Sequence, residues 1–170
     1  MKSLVDHLSQ YAAYHRDPRN IVSHFIGIPL IVVAVAVLLS RPQWAGVSPA
    51  VLLTLGAAVF YLRLELRLGL LMTLLLGLAV WLGHSLAALS TGAWLGWGVG
   101  LFVVGWGIQF VGHYYEGRKP AFVDDVSGLI VGPLFVVAEL AFLLGLRQDL
   151  KRQIEECSGP VGVRGKNATV

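Results

Sequence analysis

The stretch NIVSHFIGIPLIVVAVAVLLS, residues 20–40, carries no Asp, Glu, Lys or Arg across twenty-one positions. As a helix it reaches about 30 Å, the thickness of a bilayer's hydrocarbon core. In lipid the backbone must satisfy its own polar groups, which a helix does and an open strand does not. Four further apolar stretches follow: SPAVLLTLGAAVFYL, Leu68 to about Leu89, Trp94 to about His113, and Val126 to Leu146. Only 14% of the 170 residues are charged and 56% are hydrophobic, against roughly 25% charged in a soluble domain. The pattern predicts an all-α integral membrane helical bundle.

Local signals place the boundaries. Residues 3–16 read as an N-terminal amphipathic helix with Leu4, Leu8, Tyr11 and His15 on one stripe. Asp17 then caps a helix that has Pro18 in its first position, and Pro29 is expected to bend it. RLELR links the second and third apolar stretches, and STGA turns the chain between the third and fourth. With the N-terminus in the cytoplasm, Arg16, Arg19, Arg63, Arg67, Arg118 and Lys119 all fall inside, as the positive-inside bias requires. Trp44, Trp94 and Trp97 then lie at the outer boundary and the tyrosines at the inner one. A full crossing by Val126–Leu146 would carry Arg147, Lys151 and Arg152 outside. The Gly132-Pro133 pair therefore suggests a C-terminal re-entrant or broken helix, which makes four transmembrane helices with both termini cytoplasmic. Residues 1–156 are expected to form one membrane-embedded domain and 157–170 a disordered tail.

The remaining composition is mostly exclusionary. A net charge of +3, scattered along the chain, argues against nucleic acid as a partner. One cysteine, Cys157, permits no intramolecular disulfide. The N-terminus has no apolar stretch before its first charges and does not read as a cleaved signal peptide. The glycines Gly92, Gly96 and Gly100 read as a helix-packing stripe.

This topology sorts the five histidines. His15, His24 and His113 share the cytoplasmic boundary; His84 falls near the outer one, and His7 lies on the amphipathic helix. Neutral imidazole is the commonest metal ligand. Asn20 and His24 share a helix face, as do Gln109, His113 and Glu116, so each ligand candidate has a neighbour able to orient it. Three interfacial polar residues with no metal are the plain alternative. Glu139, deep in the last apolar segment, reads as a ligand, a catalytic base or a partner for a nearby arginine.

YHRDPRNIVSHFIGIP, then GWGIQFVGHYYEGRKPAFVDD, then GPLFVVAEL occur in an order and spacing that resembles the 2-hydroxy-palmitate dioxygenase family, over residues 11 to 146. The resemblance implies a multi-span protein that uses Fe(2+) and dioxygen to shorten 2-hydroxy fatty acids by one carbon. It also implies His15, His24 and His113 as metal ligands. Asn20 and Gln109 then orient the ligands, Glu116 and Glu139 are candidate catalytic carboxylates, and Arg16, Arg19, Arg118 and Lys119 steer the substrate carboxylate. The expected partners are a 2-hydroxy fatty acid, dioxygen and membrane lipid. Two other functions stay open: a zinc-dependent lipid hydrolase using the same histidines, and a non-enzymatic lipid-binding or transport protein. The expected location is a bacterial inner membrane, with the endoplasmic reticulum as the alternative.

Overall fold

The computed structural model describes residues 2–162, all of whose regular structure is helical. The elements are α1 (Leu4–Ala12), α2 (Pro18–Ser40), α3 (Pro49–Leu64), α4 (Leu66–Ala87), α5 (Thr91–Glu116), a 3-10 turn at Ala121–Val123, α6 (Gly128–Leu143) and α7 (Gln148–Ser158). Among the described residues, α2, α4 and α5 are long and apolar enough to cross a membrane, and α6 with α7 forms a pair bent by 118°. α3 has 16 residues and spans about 24 Å, short of the full hydrocarbon thickness. Large apolar side chains such as Leu74, Trp81 and Val103 are exposed, as lipid-facing residues are. This is a helical membrane protein.

The chain falls into two compact units, one formed by the chain up to Phe25 together with Gln109 onward, the other by Ile26–Ile108. In the second unit α3 and α4 form a hairpin. The expected link RLELR contracts to one extended residue, Glu65, which ends α3 and caps α4 by accepting from the Leu68 N–H at 2.7 Å. A Cβ on Gly69 would lie 2.7 Å from the Tyr61 carbonyl, so only glycine permits this approach. Gly98 and Gly105 likewise let α5 lie against Leu38 and Ile31 of α2. The stripe Gly92, Gly96 and Gly100 meets nothing within 4 Å. The packing glycines of α5 are thus on a different face from the one expected.

In the first unit α1 starts with a capping box: Asp6 N–H donates to Ser3 Oγ at 3.1 Å and Ser3 N–H to Asp6 Oδ2 at 2.8 Å. Its stripe Leu4, Leu8, Tyr11 and Ala12 is buried, and α1 packs on α6 and α7. The helix ends at Ala12, not at residue 16, so His15 stands in the turn that follows. The C-terminal segment is a broken helix as expected, but the break is not at Gly132-Pro133. α6 runs through Gly132-Pro133 unbroken, because Val131, Leu134 and Phe135 beside the proline are buried and hold the turn. One missing backbone donor does not sever a helix packed in this way. The break comes at Gly145 and Arg147, both with positive φ. After it, α7 buries Leu150 and Ile154 while Asp149, Arg152 and Glu156 are exposed. Cys157 and Ser158, expected in the tail, belong to α7; residues 163–170 lie outside the described residues.

Candidate metal centre

The three histidines converge within the first unit. His15 comes from the α1–α2 turn, His24 from the second turn of α2 and His113 from the end of α5. One ring nitrogen of each lies within 4.8 Å of the others. Their residue exposures are 0%, 1% and 7%. Ring centroids are 4.4 Å apart for His15 and His24, 5.1 Å for His15 and His113, and 5.2 Å for His24 and His113.

Hydrogen bonds decide the tautomers. Nδ1–H of His15 donates to the Tyr11 carbonyl at 2.7 Å, and Nδ1–H of His24 donates to the Asn20 carbonyl at 2.8 Å. Each ring therefore presents Nε2 as a lone pair, and these two nitrogens face each other at 2.9 Å. A direct bond between them would require a charged imidazolium. Burial, reinforced by His24, holds His15 well below the ordinary histidine range and so disfavours that charge. A cation accepting both lone pairs removes the conflict, and neutral Nε2 with Nδ1–H held by a carbonyl is the usual metal-ligand arrangement. Nδ1 of His113 is buried and closes no well-aligned hydrogen bond, although the Arg118 backbone lies within reach of the ring. The donor set fits a divalent transition metal.

The surroundings lock the rings in place. Tyr11 stacks on His15 with centroids 4.2 Å apart and an interplanar angle of 6°. Phe135 of α6 packs against both rings, at 5.0 Å from Tyr11 and 5.6 Å from His15. Ser23 Oγ lies 3.3 Å from His24 Nδ1 and donates to the Asn20 carbonyl at 2.7 Å. A Cβ on Gly112 would lie 1.9 Å from Ser23 Oγ and 2.6 Å from Asn20 Oδ1. The residue before His113 must be glycine for α5 to reach α2 here.

The other expected site residues divide clearly. Glu116 accepts from Arg16 N–H at 3.0 Å, from Asp17 N–H at 2.8 Å and from the Asn20 amide at 3.0 Å. It ties the turn that carries His15 to the helix that carries His113. Asp17 caps α2 as expected, accepting from the Arg19 N–H at 2.9 Å. Arg16 is half-buried; its Nε donates to the His15 carbonyl and one terminal nitrogen to the Gly159 carbonyl. Glu139 is half-buried on α6, near Arg16, Lys151 and Glu155. Arg19 pairs with Asp17 and lies over the Tyr115 ring at 4.4 Å. Arg118 donates to the Ala13 carbonyl, and Lys119 pairs with Asp124 at 2.6 Å. Gln109 is buried at 4% exposure, and its Nε2 has no hydrogen-bond partner. Tyr11 and Ser23 were missed as site residues. Tyr11 is spaced i, i+4 from His15 and Ser23 adjoins His24, but neither spacing distinguishes a site from ordinary packing.

Residues 1–144 match the family model described as 2-hydroxy-palmitic acid dioxygenase Mpo1-like. The chain belongs to this family. Within the Mpo1-like family it is 34% identical over 163 residues to the 2-hydroxy-palmitic acid dioxygenase MPO1 of Saccharomyces cerevisiae, covering 91% of this chain and 90% of the yeast protein. No solved structure matches this chain. The histidine centre lies wholly inside the Mpo1-like match, whereas α7 lies beyond it.

Proposed function

We propose that this protein is a membrane-embedded Fe(2+)-dependent dioxygenase that converts a 2-hydroxy fatty acid to the fatty acid one carbon shorter. The metal is held by His15, His24 and His113 at the cytoplasmic boundary. The carrying observation is the facing pair of Nε2 lone pairs at 2.9 Å, in a chain related to a named 2-hydroxy-palmitic acid dioxygenase. Imidazole ligands suit iron and zinc alike, so the choice of iron rests on the relationship to the named dioxygenase.

The overall change is R–CH(OH)–COOH + O2 → R–COOH + CO2 + H2O. The four electrons lost by the substrate reduce one dioxygen, so no external reductant enters. Bound ferrous iron supplies the one-electron chemistry that lets dioxygen react with a closed-shell acid. The protein's own residues do the rest. The Tyr11 and Asn20 carbonyls hold the His15 and His24 rings with Nε2 free. Tyr11 and Phe135 cover the His15 ring and exclude water. Glu116 positions the turn that carries His15. Arg19, Arg118 and Lys119 are exposed and draw the substrate carboxylate to the boundary, while the acyl chain stays in lipid. Arg16 and Glu139 are half-buried and within electrostatic range of each other, which offsets part of the cost of burying either charge. The arginine distribution supports cytoplasmic termini.

The test is metal identification on protein purified in detergent without added metal, together with oxygen uptake on addition of 2-hydroxypalmitate. Stoichiometric iron and substrate-dependent uptake are expected. Zinc with turnover under argon would establish a hydrolase instead, and no metal with no uptake would leave a lipid-binding protein.

A further inference from the structure

The carboxamide of Gln109 stands out among the buried polar groups of the first unit. The residue is 4% exposed and its Nε2 has no hydrogen-bond partner. An unmet donor inside a membrane protein is costly, and natural structures retain few of them. Gln109 sits one helical turn before His113, on the same face of α5. Gly112, on the neighbouring turn of that face, brings α5 against Asn20 and Ser23 of α2, and the His113 ring meets the His24 ring at 5.2 Å. Gln109 thus lies beside the histidine centre, about 6 Å from His113 along the α5 axis towards the apolar middle of the helix.

We propose that Gln109 is a substrate-binding residue that donates its carboxamide N–H to the 2-hydroxyl oxygen of the fatty acid and so distinguishes a 2-hydroxy acid from the unsubstituted acid. The inference rests on the dioxygenase reading above. Depth and charge select the hydroxyl. The carboxylate is the most polar end of the substrate and is served by the arginines and lysine at the boundary. C2 follows it inward, and its neutral hydroxyl suits a neutral amide. A site built to bond a hydroxyl rejects the analogue that lacks one, because its own polar group is then left unmet. Gln109 orients none of the three rings in this structure: His15 and His24 have carbonyl partners, and Gln109 Nε2 and His113 Nδ1 each lack a hydrogen bond.

The experiment compares the metal-loaded wild type with Gln109→Met, which keeps the shape and removes the donor. Metal content, the unliganded thermal midpoint, and equilibrium binding of 2-hydroxypalmitate and palmitate under argon are measured. The variant is expected to keep its metal and an equal or higher midpoint. Its affinity for 2-hydroxypalmitate should fall about ten- to hundredfold, toward that for palmitate, while palmitate binding is unchanged. Loss of metal or a lowered midpoint in Gln109→Met would assign the residue to ligand orientation or packing and overturn the inference. A wild-type preference for the hydroxy acid that survives in the variant would overturn this inference alone. A wild type that binds both acids equally would overturn the dioxygenase reading as well.

Discussion

Nε2 of His15 stands 2.9 Å from Nε2 of His24, and Nδ1 of each ring bonds the carbonyl four residues earlier in the chain. The repeated bond aims both lone pairs at one point. Substituting His15, His24 or His113 singly with Ala is therefore expected to remove most of the bound metal and nearly all turnover. The double variants should be no worse than the singles, since ligands of one centre act as a unit. Metal analysis and oxygen uptake on folded variants check this, and normal metal content in any single variant removes that histidine from the centre.

Chelation should destabilise the protein without unfolding it. An ion held by the three histidines would join the α1–α2 turn, α2 and α5, whereas the Tyr11–Phe135 packing and the α3–α4 hairpin do not depend on it. At a metal concentration one hundred times the dissociation constant, the bound ion contributes about 2.7 kcal/mol. The melting midpoint in detergent, with and without chelator, measures this; an identical midpoint would mean that no ion bridges these elements.

Gly112→Ala should damage the centre more than its one added carbon suggests. The new Cβ would fall 1.9 Å from Ser23 Oγ and 2.6 Å from Asn20 Oδ1, the groups beside the His24 ring. Overpacking of this kind costs about 1–3 kcal/mol. Metal affinity should fall at least tenfold, while Gly100→Ala, whose Cβ enters open space, should leave affinity unchanged. Titration of the two apoproteins with Fe(2+) separates them.

Glu116→Ala leaves the Arg16 and Asp17 N–H groups without their acceptor and is expected to cost about 1.5–3 kcal/mol. Glu116→Gln keeps an acceptor oxygen and should restore most of the stability and metal binding. A catalytic carboxylate would behave differently: the Gln variant would keep its metal and lose turnover. Metal content and turnover measured on both variants distinguish positioning from chemistry.

His84 supplies an internal control. Its Nδ1–H also bonds the carbonyl four residues earlier, Val80, at 3.0 Å, but its Nε2 faces Ser48 Oγ at 3.5 Å and no second imidazole. His84→Ala is expected to retain full metal and most activity. Loss of stoichiometric metal in this variant, folded, would show that the ligand set is wrong.

Uninterrupted apolar length determined a good deal without any structure. A run such as residues 20–40 admits a helix and little else in lipid, and Asp17-Pro18 marked its start correctly because capping is a local interaction. The three histidines that converge in the structure were also singled out by the sequence, through the common depth expected from the charge pattern. Four features were decided only by tertiary contact. α1 stops at Ala12, and the turn that follows, tied by Glu116 across about a hundred residues of sequence, brings His15 onto His24. α6 stays whole at Pro133 because its neighbours are buried, and the chain breaks instead at Gly145 and Arg147. α5 packs through Gly98, Gly105 and Gly112, while the evenly spaced Gly92, Gly96 and Gly100 face away. α7 carries so few apolar residues that only the docking of Leu150 and Ile154 reveals its buried face. Local rules act over one or two helical turns; which face a helix buries depends on partners that are distant in sequence, and so does the tautomer a buried imidazole keeps.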